Sequence, residues 1–157
     1  MIRIEPLSEQ TIEGVRGVML PQAQVKFAGT AEEFLSDHCS TTHRHVILAG
    51  DNVVGFFKLD IAYRRRYDFC PDHAMGLRAF AIDAAHQGKG YGKASIRALM
   101  PYLVANYPQF ETIYLTVNCK NPGAQACYLK SGFVDTGKIY LGGSAGPQHI
   151  MRATIHA

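Results

Sequence analysis

Phe80-Ala81-Ile82-Asp83-Ala84-Ala85-His86-Gln87-Gly88-Lys89-Gly90-Tyr91-Gly92-Lys93 is the stretch that decides the fold. Leu77 to Ile82, which leads into it, is apolar and reads as a strand. Gln87 to Gly92 is a glycine-rich loop. Beyond it Ile96, Leu99, Met100, Leu103 and Val104 recur at the spacing of one helix face. A strand, a tight loop and a long amphipathic helix therefore follow in order. The first turn of such a helix has unpaired N–H groups and a positive dipole end. Glycines let an anion approach that backbone, because no Cβ intervenes. Lys89 and Lys93 add positive charge. These features predict an anion cradle suited to a phosphate or pyrophosphate. The spacing is not the dinucleotide pattern Gly-x-Gly-x-x-Gly, and the Gly-Lys-Ser/Thr ending of a nucleotide P-loop is absent. Taken alone, the loop is also compatible with a glycine turn that only lets the helix pack on the strand.

A second motif lies downstream. Thr112 to Val117 reads as a strand, followed by Asn121, Ala124, Tyr128 and Gly132-Phe133. Asn121 is a good N-cap, Pro122 suits the first helical position, and Gly132 suits the helix end. Together the two motifs resemble the GCN5-related N-acetyltransferase (GNAT) superfamily. That family has Gln/Arg-x-x-Gly-x-Gly/Ala after its fourth strand, matched here by Gln87-Gly88-Lys89-Gly90-Tyr91-Gly92. After its fifth strand it has Asn-x-x-Ala, an aromatic residue and Gly-Phe, matched by Asn121, Ala124, Tyr128 and Gly132-Phe133. The matched motifs span about residues 77 to 140.

The resemblance implies a mixed α/β fold. Its sheet has about six to seven strands, the fourth and fifth splayed apart, with about four flanking helices. It also implies acetyl-CoA as cosubstrate, bound in the gap between the splayed strands. The backbone of Phe80, Ala81 and Ile82 would pair with the pantetheine arm. The amides of Gln87, Gly88, Lys89, Gly90, Tyr91 and Gly92 would hold the pyrophosphate, with Lys93 beside them. Asn121 would contact the arm, and the helix bearing Ala124 would line the other wall. Tyr128 would be the general acid. The chemistry suits these residue types: a fixed backbone N–H stabilises charge on the thioester oxygen. A tyrosine, with pKa ~10, is protonated at neutral pH and can give a proton to the leaving thiolate. The alternative reading of Tyr128 is a core aromatic on its helix face.

An alkylammonium acceptor, pKa ~10.4, must also lose a proton. Histone-modifying members place a Glu on the fourth strand, and that position here is Gly76. Asp83, His73 and His149 are candidate bases, as is a base acting through water.

Composition narrows the class. The chain has 157 residues, of which 47% are apolar and 18% charged. This suits one domain, 1–157, with a core that needs neither disulfides nor metals. The formal net charge of +3 suits an anionic small ligand and does not by itself point to nucleic acid. Apolar runs such as Val53 to Phe57 are far shorter than the ~18 residues of a membrane span. No signal sequence is evident, so a cytoplasmic protein with no membrane partner is expected. Cys39, Cys70, Cys119 and Cys127 form no CxxC pair and read as reduced thiols. His38, His43 and His45 lie near one another, but no ligand set is completed at recognised spacing, so no metal is expected.

The remaining elements follow from periodicity. Ile2 to Glu5 reads as a strand, and Ile12, Val15 and Met19 as a helix capped by Ser8 and ended by Pro21. Thr30 and Glu33 form a capping box for a short helix with Phe34, Leu35 and His38 on one face. Val46 to Ala49 and Val53 to Leu59 form a hairpin about Gly50-Asp51-Asn52. Tyr63 to His73 reads as a loop or an extended strand end, Phe133 to Tyr140 and Gln148 to Thr154 as strands. Pro101 should kink or shorten its helix.

The ending Gly142 to Met151 resembles bacterial small-molecule members, some of which acetylate polyamines. Asp60, Asp68, Asp72 and Asp83 would favour a polycation; Arg64-Arg65-Arg66 reads as a solvated surface patch or, if it lines the cleft, as a run that selects an acidic substrate or repels a polyamine. The expected activity is acetyl transfer to a primary amine of a small molecule. A protein or peptide acetyltransferase, a non-catalytic acyl-CoA-binding module and an unrelated nucleotide-binding domain are the alternatives. Relatives commonly form homodimers, but no stretch here identifies an interface.

Overall fold

Seven strands form one sheet in the order β1-β2-β3-β4-β5-β7-β6 in the computed structural model, which describes residues 1–156 apart from the side chain of Lys26. The strands are β1 (Ile2–Pro6), β2 (Thr42–Ala49), β3 (Asn52–Asp60), β4 (Ala74–Ile82), β5 (Thr112–Asn118), β6 (Val134–Tyr140) and β7 (Gln148–Thr154). The helices are α1 (Ile12–Arg16), α2 (Gln22–Ala28), α3 (Ala31–Ser36), α4 (Tyr91–Asn106) and α5 (Pro122–Lys130). β1 to β4 form an antiparallel meander, β4 and β5 run parallel, and β5, β7 and β6 are antiparallel. Parallel neighbours need a crossover, and α4 provides it.

Each face of the sheet has its own core. Leu77, Ile82, Ile96, Leu99, Leu103 and Leu115 pack where α4 and α5 cover one face. Val15, Val18, Phe34, Val46, Phe56 and Ala81 pack under α1 and α3 on the other. Tyr63, Cys70 and Ala74 form a third, smaller cluster beside it.

Several expectations are corrected. Thr11, not Ser8, precedes α1, and Met19 lies beyond it, exposed. The capping box at Thr30 and Glu33 is present, but His38 lies past the end of α3 and is exposed. Pro21 does not end the first helix, which stops at Arg16 with Gly17 as its cap; it instead precedes α2, which the sequence reading omitted. Gln22-Ala23-Gln24 are helix formers, and Gly29 (φ 83°) closes that helix. The Tyr63–His73 loop contains a 3₁₀ turn, Tyr63–Arg65, that buries Tyr63. The described residues form five α-helices, in keeping with the expected number of about four. Pro101 does not shorten α4, which continues to Asn106. Pro101 and Arg97 are both exposed, so the carbonyl of Arg97 that loses its partner lies on the water-facing side. Val104 is exposed although its spacing fits the apolar face.

The splay between the middle strands is explicit in the register. β4 meets β5 only at Ala74–Thr112, Met75–Ile113 and Gly76–Tyr114. From Leu77 onward β4 has no partner on β5, which pairs with β7 along Thr112–Asn118. A V-shaped gap opens between the two strands. On its other edge β4 has an irregularity: Arg78 faces Lys58 and Ala81 faces Phe56, leaving Ala79 and Phe80 opposite Phe57. Such a bulge bends the strand. Ala79 has φ 54°, the one positive value at a non-glycine among the described residues. For alanine that backbone is strained and must be held by its surroundings.

Candidate active site

A cleft of about 1070 Å³ runs through the gap between β4 and β5. One wall is the open edge of β4, with Phe80, Ala81 and Ile82. Gln87, Gly88, Gly90, Tyr91, Gly92 and Lys93 form one end, and Asn121, Ala124 and Tyr128 line the opposite wall. The structure thus brings together every residue expected to touch the cofactor or the acetyl group except Lys89, which is exposed and does not line the cleft; Gly132 and Phe133 of the second motif lie outside it.

The loop geometry explains its glycines. Gly88 (φ 82°) and Gly90 (φ 79°) are left-handed, and a β-carbon on either would meet no atom within 4 Å. The backbone there is open to whatever enters. Gly90 is the N-cap of α4, no side chain caps that terminus, and no acidic residue sits in its first turn. The result is an uncapped positive end. Gly92 has a different role: a β-carbon there would lie 3.1 Å from Cys127 Sγ, so the absent side chain lets α4 and α5 approach. The Gln87 side chain is a brace. Its Nε2 donates to Ile82 O at 2.9 Å and to Gln24 Oε1 at 3.1 Å, tying the loop to β4 and α2.

On the opposite wall, Asn121 Oδ1 accepts from the Ala124 N–H at 3.4 Å and starts α5. Tyr128 is buried, its ring 6.0 Å from Phe80 and 5.6 Å from Phe133. Burial raises its phenol above the ordinary tyrosine range, so the hydroxyl stays protonated. Burial likewise raises the neighbouring Cys127 thiol. Asn118, which the sequence reading omitted, is buried at the end of β5. Its Nδ2 donates to Ala145 O at 3.0 Å and holds the β6–β7 loop against the cleft. An Asn directly after an apolar strand was the available signal.

A second half of the cleft lies toward Tyr63, Tyr67 and Tyr140, with Lys58 and Arg78 from β3 and β4. Tyr67 and Tyr140 meet edge to face, their centroids 5.1 Å apart. Arg78 Nη1 lies 3.3 Å from Asp60 Oδ2, and Arg66 Nε lies 3.4 Å from the same oxygen. Lys58 Nζ pairs with Asp37 Oδ2 at 2.8 Å. The charge beside Asp37 and the hydrogen bonds it accepts outweigh its burial and lower its pKa.

The acidic residues expected around an acceptor do not gather there. Asp60 is fully buried between two arginines, and Asp72 pairs with Arg64. Asp83 Oδ1 accepts from the Met19 N–H at 2.8 Å, anchoring the segment before α2. Asp68 is exposed and outside the cleft. The arginine run is therefore partly structural, since Arg66 anchors Asp60. None of the three candidate bases lines the cleft either. His73 is exposed before β4, His149 lies 3.5 Å from Asp135, and Asp83 is committed as described. Glu33 is the one carboxylate lining the cleft among the described residues. The described residues contain no group of three metal-ligating side chains, and no helix among them is long and apolar enough to cross a membrane.

Residues 18–133, well over half of the chain, match the model of the acetyltransferase (GNAT) family. The chain belongs to that family. It is thus a GNAT N-acetyltransferase, built on the fold that the two motifs imply. It is 32% identical over 120 residues to the uncharacterized N-acetyltransferase YbbJ of Bacillus subtilis (strain 168), covering 74% of this chain and 75% of that protein. The aminoglycoside acetyltransferase AAC(6')-Ib, solved with parmomycin and acetyl-CoA, superposes with a TM-score of 0.79 at 18% identity, covering 98% of this GNAT chain and 93% of the other. The spermidine N-acetyltransferase of Vibrio cholerae, solved with CoA and spermine, gives 0.71 at 20% identity, covering 98% and 95%. At these identities the two structures establish shared architecture and not a shared acceptor.

Proposed function

We propose that this protein binds acetyl-CoA in the β4–β5 gap and transfers the acetyl group directly to a primary amine of a small molecule. One observation carries the reading: the unpaired edge of β4 leads straight to the uncapped N-terminus of α4. An extended arm bearing amides can add to that edge as a strand would. Phosphates suit the loop at its end, where Gly88 and Gly90 expose the backbone and Lys93 adds charge.

Acetyl-CoA supplies the activated acetyl group. A backbone N–H of β4 near Phe80, facing the gap, would hold the thioester oxygen as negative charge develops on it. Tyr128 would donate its phenolic proton to the departing sulfur; burial keeps that proton in place at neutral pH. Gly76 offers no carboxylate, Glu33 is tied into the capping box of α3 and His86 sits beside Tyr91 at the loop end of the cleft, so the ammonium proton would leave through water. The cleft volume is at the upper end of the ~300–1,000 Å³ of small-ligand pockets, room for the arm and a small acceptor.

Thermal unfolding with acetyl-CoA, CoA, ATP and NAD at equal concentrations tests this reading. A ligand at ~100 times its Kd adds ~2.7 kcal/mol, a rise of several degrees for a chain of this size. The expected result is a rise with both CoA species and none with ATP or NAD. No rise with millimolar acetyl-CoA would remove the enzyme reading. A panel of free amines and peptides, followed by thiol release, then separates small-molecule from protein acceptors.

A further inference from the structure

We infer that the acceptor amine carries an anionic group, a carboxylate or a phosphate, and that Arg78 binds it. The inference rests on the acetyl-transfer reading and names its substrate class.

Arg78 and Lys58 are cross-strand partners, and such partners share a face. Phe56 and Ala81, also partners, pack in the core under α1 and α3, which places Lys58, two residues from Phe56, on that same face. Arg78 therefore stands across the sheet from α4, whose N-terminus takes phosphates. The cations of the cleft are divided into two groups: Lys93 and Lys130 on the α4–α5 side, Arg78 and Lys58 on the other.

The ionic balance around Arg78 is uneven. Asp60 and Asp37 are met by Lys58, Arg66 and Arg78, two carboxylates against three cations. Lys58 is committed to Asp37 at 2.8 Å, and Arg66 does not line the cleft. The surplus charge falls on Arg78, which does. Asp60 is wholly buried and also accepts the Ala62 N–H at 2.9 Å, so it is a fixed anchor. It engages only Nη1 of Arg78. The rest of the planar fork is left for what enters, in a geometry that matches carboxylate or phosphate oxygens.

A polycation would meet this arginine first. Glu33 offers little relief, because it is exposed and its Oε1 accepts from the Thr30 N–H in the capping box of α3. A zwitterionic acceptor fits better. Its anion meets Arg78, and its ammonium lies toward the faces of Tyr67 and Tyr140, which attract cations.

Calorimetric titration of the CoA-saturated protein tests this with matched probes. β-Alanine is compared with β-alaninamide, and phosphoethanolamine with ethanolamine; spermidine and kanamycin are the polycations. Acetyl-CoA turnover of each is followed alongside. We expect an acidic probe to bind about tenfold or more tightly than its uncharged partner. The two pairs tell a carboxylate site from a phosphate site. Arg78→Gln should abolish the preference and Arg78→Lys retain part of it, with the CoA-induced thermal shift unchanged in both, which controls for folding. Equal binding within each pair, or tighter binding of a polycation, would overturn the inference even if that amine is acetylated. Arg78-dependent binding of an acid with no turnover of any amine would support the anion site and overturn the acetyl-transfer reading instead.

Discussion

A β-carbon on Gly76 would collide with the ring of Tyr63. Tyr63 is brought there by the 3₁₀ turn after β3, is 1% exposed, and has its phenol raised by burial. The strand position at which some family members carry a carboxylate is thus filled by an aromatic ring from another segment. The missing base is not a simple substitution that reversal would repair.

Gly76→Glu should therefore destabilise without accelerating. Overpacking and a charge with no room for water cost roughly 3 kcal/mol together. Urea unfolding should show a lower midpoint with an unchanged slope. A variant as stable as the parent and faster with any amine would mean Tyr63 yields its place readily.

Gly90→Asp tests the cradle. Nothing lies within 4 Å of a β-carbon there, so the loss of fold stability should be limited to left-handed backbone strain, roughly 1–2 kcal/mol. A carboxylate at the uncapped end of α4 should repel phosphates, and CoA affinity should fall at least about tenfold. Affinity held within about twofold would place the phosphates elsewhere.

Tyr128→Phe keeps the ring packed against Phe80 and Phe133 and removes only the hydroxyl. CoA binding and thermal midpoint should be near those of the parent, while kcat falls about 100-fold or more. Because burial raises this phenol, the parent's kcat should show no alkaline loss from Tyr128 below pH ~10. Full turnover in the phenylalanine variant would assign Tyr128 to the core alone.

Acid stability should depend on His45. Its Nδ1 lies 3.0 Å from the His43 carbonyl, which can only accept, so that nitrogen carries the proton and Nε2 accepts from Tyr102 Oη at 2.8 Å. Both contacts suit the neutral ring. Burial pushes its pKa down to about 4 from 6.5. The unfolded chain then binds the proton more readily, so the stabilisation is present above pH ~6.5 and is lost as pH falls through about 4. The loss is roughly 3 kcal/mol. Chemical unfolding from pH 7 to 4 should show it, and His45→Gln should flatten that part of the profile. A flat profile in the parent would mean the ring is solvated.

Much of the cleft was legible in order along the chain. The loop Gln87–Gly92 and the Asn121–Phe133 segment each act locally: glycine φ values, a helix terminus and a cap depend on adjacent residues. Reading these in sequence is sound because the interactions span only a few positions. The capping box at Thr30 was read correctly for the same reason. α2 was overlooked because Pro21 was read as a stop; Gly17 already closes α1, and Pro21 stands at the start of α2, which packs against β4.

Charge pairing was not legible. Asp60, Arg66 and Arg78 belong to different segments and meet only when β3, the 3₁₀ turn and β4 assemble. An aspartate count therefore suggested an acidic cleft where folding leaves a surplus cation. By itself the chain determined the order of the strands, the glycine-rich loop before α4 and the family, since local backbone rules govern all three. Tertiary structure alone decided the splay of β4 from β5, the filling of Gly76 by Tyr63 and the pairing of Asp60 with Arg66 and Arg78, because each is a contact between residues distant in sequence.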